Sequence, residues 1–242
     1  MKALLALTLA ISLFSAACSS KQIDEGNPDE LYKEAEKDIQ EKRYLQAAER
    51  LRIIKNKFPY SHLSTQAALR LADVAFLEEA FPEAAAAYET FRDLHPKYER
   101  ADYVLFRIGE SYYNQMPDAV DRDQSPGVKS IEAFAELEKL YPNSSHMPEA
   151  KQRAFSARDK LAEKEAYIAE FYFKQEQYES AALRFQKIAK TYAGSKAEQR
   201  AYIRWAESLA KQKKADEARH VLSSYLSRFP SGEYADKAKR GI

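Results

Sequence analysis

The sequence predicts an all-α protein built from five helical hairpins, about ten helices in all, and three observations support this. Helix-forming stretches end five times on an aromatic or His residue followed by Pro or Ala: Phe58-Pro59, His95-Pro96, Tyr141-Pro142, Tyr192-Ala193 and Phe229-Pro230. A small residue occupies one position in the helix that opens each hairpin: Ala35, Ala72, Gly109, Ala169 and Ala206. Only 6 Gly occur among 242 residues, so few positions weaken a helix from within.

Two further sets of residues keep register with these closing motifs. Twelve residues before each closing Pro or Ala the residue is small: Ala47, Ala84, Ser130, Ala181 and Ala218. Eight residues before it the residue is large and apolar: Leu51, Tyr88, Phe134, Phe185 and Leu222. Small residues allow helices to approach closely, and large ones fill the core between neighbouring hairpins. The pattern predicts a tetratricopeptide-like (TPR-like) α-solenoid.

The spacing of the repeats also predicts where the units differ. The third unit has about 9 extra residues, which indicates a loop around Met116 to Pro126 between its two helices. The fourth unit has about 14 extra residues in a stretch without Gly or Pro, which predicts a first helix lengthened by about four turns. We expect one domain over residues 28–242. The predicted units are about 28–60, 61–97, 98–143, 144–194 and 195–230, followed by a short C-terminal capping segment.

The N-terminal 17 residues have the features of a bacterial signal peptide. Lys2 precedes an apolar run that is too short for a permanent membrane span, and Ser-Ala-Ala leads into Cys18. Cys18 is the only cysteine, and its place predicts a lipid attachment site, although Ser15 stands where that motif usually has Leu. In the alternative, Cys18 is incidental and cleavage occurs nearby. Residues 18–27 form a polar lipidated tether, and Asn27-Pro28 predicts the start of the first helix.

The predicted lipid anchor indicates where the protein resides. Each buried methylene of an acyl chain contributes roughly 0.8 kcal/mol, so two or three chains hold a protein stably on a membrane. Ser19 and Ser20 provide no Asp of the kind that retains lipoproteins in the inner membrane, which favours the outer membrane, facing the periplasm. Removal of Lys2 with the signal peptide leaves 37 basic and 37 acidic residues, which argues against nucleic acid as a partner.

The motifs of enzyme chemistry are absent from the sequence. It contains no G-x-S-x-G, G-x-G-x-x-G, P-loop or H-E-x-x-H pattern, and a lone Cys cannot form a cysteine-pair metal site. Asp121-Arg122-Asp123 is typical of loop capping more often than of a metal site. We therefore expect a protein that binds partners, with no cofactor, no metal and no catalytic residue.

Five segments carry a resemblance to a known family. They are Asn27-Pro-Asp-Glu-Leu-Tyr32, Lys57-Phe-Pro-Tyr-Ser61, His95-Pro-Lys-Tyr-Glu-Arg-Ala-Asp-Tyr-Val104, Asp121-Arg-Asp-Gln124 and Leu140-Tyr-Pro-Asn-Ser144. In this order and spacing they resemble the BamD family, the lipoproteins of the outer-membrane β-barrel assembly machinery. The resemblance extends from the lipidation motif to about Tyr192, and generic TPR proteins lack the His-Pro-x(5)-Asp-Tyr-Val run.

The resemblance implies a periplasmic scaffold that docks on the POTRA domains of BamA. It also implies recognition of unfolded outer-membrane β-barrel proteins through their C-terminal signal strands, with other Bam lipoproteins as further candidate partners. In the family, an Arg of the fourth unit contacts the POTRA domain nearest the barrel, and the matching residue here is Arg184. Without the resemblance, Arg184 is a solvated residue on a helix face.

The repeat frame predicts a groove for substrate peptides. An acid follows each small residue of the first helices: Glu36, Asp73, Glu110, Glu170 and Glu207. Residues four before and three after share a helix face with each acid. We expect a groove formed by Tyr32, Glu36, Phe76, Phe106 and Tyr113. In the alternative, the acids pair with Lys or Arg of adjacent helices and the aromatic residues fill the core between repeats.

Two other functional classes are compatible with a TPR lipoprotein. One is a pilotin or adaptor for a pilus or a secretin, which leaves the third-unit loop and the His-Pro-x(5)-Asp-Tyr-Val run unexplained. The other is an adaptor for cell-wall synthesis, whose partners would be murein synthases or hydrolases.

Overall fold

The predicted fold class is confirmed by a computed structural model that describes residues 26–241. Over this range the chain forms 11 helices and no strand, as expected for an all-α, TPR-like α-solenoid. The predicted signal peptide, Cys18 and most of the predicted tether lie outside the described residues. Within the described part, no helix is both long enough and apolar enough to cross a membrane.

The helices follow one another as five hairpins and a short final helix. They are α1 (Pro28–Gln40), α2 (Tyr44–Lys57), α3 (His62–Leu77), α4 (Phe81–Leu94), α5 (Ala101–Asn114), α6 (Ser125–Leu140), α7 (Met147–Lys174), α8 (Tyr178–Thr191), α9 (Glu198–Lys211), α10 (Ala215–Arg228) and α11 (Ala235–Arg240). Helix α1 packs against α2, α5 against α6, α7 against α8 and α9 against α10, with α11 following the last pair.

The helices belong to two compact units, which are larger than the single repeats. One extends to Leu71 and the other begins at Ala72, so that the division lies within α3.

In the first compact unit Asn27 caps α1, because its side-chain oxygen accepts the backbone N–H of Asp29 at 3.0 Å. The carboxylate of Asp38, which is almost fully buried, accepts hydrogen bonds from Arg43 and Arg50. The single domain expected over residues 28–242 stays a prediction.

Both irregularities that the repeat spacing predicted, in the third and fourth hairpins, are observed. Helix α7 has 28 residues, twice the 14 residues of α8. Residues 115–124 connect α5 to α6, close to the predicted loop. The other four hairpins turn tightly through a single residue in the left-handed region, at Lys42, Glu79, Glu176 and Lys213, with φ between 59° and 63°.

Successive hairpins of the second unit are joined by a repeated glutamine contact. Gln115, just after α5, donates its side-chain N–H to the carbonyl oxygen of Phe81 in the preceding hairpin at 3.2 Å. Gln212, just after α9, donates to the carbonyl oxygen of Tyr178 in the same way at 3.1 Å. Each contact adds a second hydrogen bond to a backbone carbonyl at the start of a second helix and so helps to fix the register between neighbours.

The small residues mark the closest approaches between helices. Ala35, Ala72, Ala169 and Ala206 are completely buried. Gly109 of α5 lies against α6, where the hydroxyl of Ser130 donates to the Gly109 carbonyl oxygen at 2.9 Å. A Cβ on Gly109 would lie 2.4 Å from a ring carbon of Phe134. Only glycine fits there without movement of a buried aromatic ring.

Candidate functional site

The predicted docking residue, Arg184, lies on α8 beside a carboxylate of α7. Its guanidinium donates to Glu165 Oε2 at 2.8 Å, and the ammonium of Lys187 donates to Glu165 Oε1 at 2.5 Å. The Glu165 side chain is only 11% exposed, whereas Arg184 is 36% and Lys187 47% exposed. Two cations therefore share one carboxylate, and one positive charge is left in excess at the surface.

The two cations also change the acidity of Glu165. Burial on its own raises the pKa of this carboxyl, but the hydrogen bonds from Lys187 and Arg184 outweigh it and hold the pKa below its ordinary value. Glu165 is therefore ionised at neutral pH and orients both cations.

Apolar side chains lie beside this charged group. Tyr172 of α7, which is partly exposed, lines a shallow cavity of about 430 Å³ together with Leu183, Arg184 and Lys187. Leu183 is 62% exposed, and the Arg184 guanidinium lies 6.0 Å from the Tyr172 ring centre. We call Tyr172, Leu183, Arg184 and Lys187 the α7–α8 surface.

The residues of the predicted peptide groove fall in both compact units. In the first unit, Glu36 of α1 accepts two hydrogen bonds from the guanidinium of Arg70 on α3, at 2.7 and 2.8 Å. Tyr32 is partly buried on the same helix. The Glu36 carboxylate is thus neutralised by an arginine of the neighbouring hairpin.

The acids of the second unit are also paired. Glu170 and Glu207 both accept hydrogen bonds from Arg204 of α9, and Lys237 donates to Glu207 as well. Glu110 accepts from Arg107 at 2.8 Å, with Arg153 of α7 at 4.0 Å. Asp73 differs, because it accepts from the hydroxyls of Tyr88 and Tyr103 at 2.6 and 2.7 Å. Three of these four acids therefore pair with a Lys or Arg of another helix, as the alternative interpretation expected, whereas Asp73 binds tyrosine hydroxyls instead.

The structure separates the predicted groove aromatics into two kinds. Phe76 and Tyr113 are partly exposed, and each is faced by a guanidinium, Arg107 at 4.3 Å and Arg153 at 4.9 Å from the ring centre. Phe106 is only 4% exposed and stacks on the ring of His146 at 4.7 Å. The expectation that Phe106 lines an open groove is therefore corrected: α7 begins beside it and encloses its ring in the core.

Two of the family-like segments contact each other. Asp102, in the His-Pro-x(5)-Asp-Tyr-Val run, accepts the hydroxyl of Ser144 at 2.7 Å, and Ser144 belongs to the Leu-Tyr-Pro-Asn-Ser segment. The next residue, Tyr103, lies 5.7 Å from the ring of His146. These segments thus join the third hairpin to the fourth. Their role in the structure is to position neighbouring hairpins.

The Asp121-Arg122-Asp123 loop serves as a helix cap. Asp123 accepts the backbone N–H of Ser125 at 3.0 Å and its hydroxyl at 2.6 Å, at the start of α6. Lys164 of α7 donates to the carbonyl oxygen of Arg122 at 2.9 Å. Across residues 26–241, no group of three His, Cys, Asp or Glu residues is arranged to hold a metal ion.

The sequence reasoning missed most of the α7–α8 surface. It identified Arg184 but not Lys187 or Glu165, whose proximity depends on how α7 packs against α8. A signal existed for Lys187, because residues three apart on a helix are neighbours and Lys187 therefore shares a helix face with Arg184. The sequence contained no indication that Glu165 of α7 lies beside both of them.

Comparisons with known proteins give consistent results. A family model described as an outer membrane lipoprotein matches residues 24–211, and a tetratricopeptide repeat model matches residues 200–232. The outer membrane protein assembly factor BamD of Neisseria meningitidis serogroup A is 31% identical, over 93% of this chain and 91% of its own length. The Vibrio cholerae protein of the same name is 30% identical over 80% and 83%, and that of Rickettsia prowazekii is 28% identical over 98% and 95%.

Proposed function

We propose a docking mode from one premise, that the chain belongs to the BamD family of outer-membrane lipoproteins. Its function is that of the family: it is an assembly factor for outer-membrane proteins, located at the outer membrane and facing the periplasm. The α7–α8 surface is the site that docks on a periplasmic POTRA domain of BamA. Arg184 contacts an acidic side chain of that domain.

The observation that carries this proposal is the excess positive charge beside a partly exposed aromatic ring and an exposed Leu. Glu165 balances only one of the two cations, so an incoming carboxylate completes the charge balance around Arg184 and Lys187. Leu183 and Tyr172 supply apolar area next to this charge. Aromatic residues and Arg dominate the binding energy of protein interfaces, and Tyr172 and Arg184 are of these kinds.

A charge reversal tests this docking mode. Arg184→Glu places a like charge against the acidic residue of BamA, so we expect its co-purification with BamA to fall sharply. Loss of one partner from a desolvated charge pair typically costs about 2–5 kcal/mol. The matched control is Arg92→Glu, because Arg92 has the same 36% exposure and also pairs with acids.

Because Arg184→Glu also repels Glu165, the neutral variant Arg184→Gln and circular dichroism of all three variants separate docking from folding. The docking mode is wrong if folded Arg184→Glu and Arg184→Gln retain BamA as well as Arg92→Glu does.

The lipid anchor is the second part of the proposal. Mature protein begins at an acylated Cys18, following Lys2, the apolar run and Ser-Ala-Ala. Cys18→Ala is expected to give an unprocessed or soluble protein, because the acyl chains supply the membrane affinity. Intact mass spectrometry of the purified protein gives the answer, and a mature N-terminus elsewhere without an acyl mass contradicts this assignment.

We also propose that barrel signal strands contact the partly exposed aromatic residues of the first helices. These are Tyr32 in the first unit and Phe76 and Tyr113 in the second. Photo-crosslinkers at the three positions should capture a signal peptide, whereas crosslinkers at Leu45 and Leu94, each 71% exposed on a second helix, should not. Capture at Leu45 and Leu94 with none at the three aromatic positions rejects the proposed contacts in each unit.

A further inference from the structure

A second surface of the molecule, distinct from the α7–α8 surface, is a groove between α8 and α10. Helix α9 packs against both of these helices and forms the floor of the groove with Tyr202, Trp205 and Leu209. The cavity has a volume of about 530 Å³, within the range of roughly 300–1,000 Å³ that is common for ligand sites. Its walls include Gln186 and Lys190 on α8 and Asp216, Glu217, His220 and Ser224 on α10. We call it the α8–α10 groove.

At the corresponding place, α4 and α6 are linked across α5 by three side chains, which we call the clamp. The Tyr112 hydroxyl, on α5, donates to Glu89 of α4 at 2.9 Å. Lys129 of α6 donates to the same hydroxyl at 3.4 Å, and its ammonium lies 4.8 Å from the Tyr112 ring centre. These contacts connect α4 to α6 across α5.

Every member of this clamp is replaced in the α8–α10 groove. The repeat register aligns Ala181 with Ala84, Ala206 with Gly109 and Ala218 with Ser130, so the clamp positions become Gln186, Leu209 and Glu217. Leu209 has no hydroxyl group, so the hydrogen bonds that Tyr112 makes with Glu89 and Lys129 have no counterpart in the groove. The floor changes as well, because the buried Ile108 corresponds to Trp205, which is partly exposed. The groove is therefore open, with an indole ring at its base.

The rim of the groove on α10 is acidic. Asp216 and Glu217 lie in the first turn of α10, and both are exposed. Asp216 pairs only with Arg219, three residues further along the same helix, and the described residues offer Glu217 no ion pair. On the opposite wall, the Lys190 ammonium of α8 lies 5.8 Å from the Trp205 ring centre. The part of the ring nearest α10 is left for a ligand. The side of the groove nearest α10 thus combines an aromatic floor with negative charge.

We propose that the α8–α10 groove binds an amphipathic helix of a partner polypeptide that carries basic residues beside its apolar face. Apolar side chains of the partner pack on Trp205 and Tyr202, and its Lys or Arg residues face Asp216 and Glu217. Helices commonly bind in this way, with an apolar stripe in a groove and charges on the rim. The proposal does not depend on docking through Arg184, which lies outside this groove.

Trp205 is the only tryptophan of the chain, so its fluorescence reports on the groove alone. The probe is a helix-forming peptide of about 15 residues without Trp or Tyr, with Leu at i, i+3, i+4 and i+7 and Lys flanking them. A matched peptide has Glu in place of Lys. In full-length lipidated protein held in phosphatidylcholine vesicles, the Lys peptide should change Trp205 emission saturably and bind about fivefold or more tightly than the Glu peptide.

Two variants test the groove from opposite directions. Glu217→Lys changes an exposed residue and should reverse the preference between the two peptides. The triple variant Gln186→Glu, Leu209→Tyr, Glu217→Lys transfers the clamp of α4, α5 and α6 into the groove and should abolish the response to both peptides. Glu217→Lys alone decides the matter if the triple variant does not fold.

Several outcomes overturn the proposal. Equal affinity for the Lys and Glu peptides would show that Asp216 and Glu217 do not select basic ligands. Unchanged Trp205 emission, or a preference unaltered by Glu217→Lys, removes the groove as the binding site. A change of Trp205 emission on dilution of the protein alone assigns the groove to a second copy of the chain instead.

Discussion

At the scale of single residues, Gly109 has little freedom to change. Helix propensity alone favours Ala over Gly by about 1 kcal/mol, so Gly109→Ala would stabilise an isolated helix. In this protein the added methyl group meets the buried ring of Phe134 at 2.4 Å. We expect Gly109→Ala to lower the free energy of unfolding by about 1–3 kcal/mol, because the core there has no room for the methyl group.

Chemical denaturation of Gly109→Ala and wild type measures this difference. Gly194 provides the matched control for a Gly→Ala change that meets no atom within 4 Å, although its φ of +86° adds backbone strain there. The two costs can be told apart, because Phe134→Leu should partly rescue Gly109→Ala and leave Gly194→Ala unaffected. Stabilisation by Gly109→Ala would show that α5 and α6 do not approach as closely as described.

At the scale of helices, Glu165 joins α7 to α8 through Arg184 and Lys187. Burial acts to raise its pKa, but the hydrogen bonds lower it below the ordinary value of 4.5. The folded state therefore binds this proton more weakly than the unfolded state. The stability from Glu165 is fully present above pH 4.5 and is lost as the pH falls through the lower pKa of the folded state.

We expect Glu165→Gln to make the free energy of unfolding depend less steeply on pH below 4.5. Glu110→Gln is the control of opposite sign. Burial raises the pKa of Glu110, so its contribution is present at low pH and is lost as the pH rises above 4.5. Urea denaturation at several pH values below and above 4.5 measures the free energy of unfolding of both variants. If the pH dependence of Glu165→Gln below 4.5 equals that of the wild type, the contact between α7 and α8 is contradicted.

At the scale of the whole chain, the sequence predicted the order and length of the helices because these depend on local signals. The closing Phe58-Pro59 and its counterparts end helices wherever they occur, and a Gly-free stretch of 28 residues forms the single helix α7. Burial was harder to predict. Helix periodicity placed Phe106 on one face with Glu110 but could not show that α7 begins beside it, since that depends on packing between hairpins.

The candidate site was predictable only in part for the same reason. Arg184 was identified through the family resemblance, whereas the charge excess around it arises from Glu165 and Lys187, which lie 19 and 3 residues away along the chain. The α8–α10 groove depends on side chains missing from one repeat but present in another. Such differences become visible only when helices of separate hairpins are compared in space.

The measurement that most directly tests the central claim is affinity purification of the tagged, lipidated protein from detergent-solubilised envelope. We predict that BamA is recovered as the main partner, and that it is lost with Arg184→Glu and regained when the acidic POTRA residue that contacts Arg184 is changed to a basic one. Recovery of murein synthases or hydrolases, or of a pilus or secretin component, in place of BamA would contradict a scaffold function in outer-membrane β-barrel assembly.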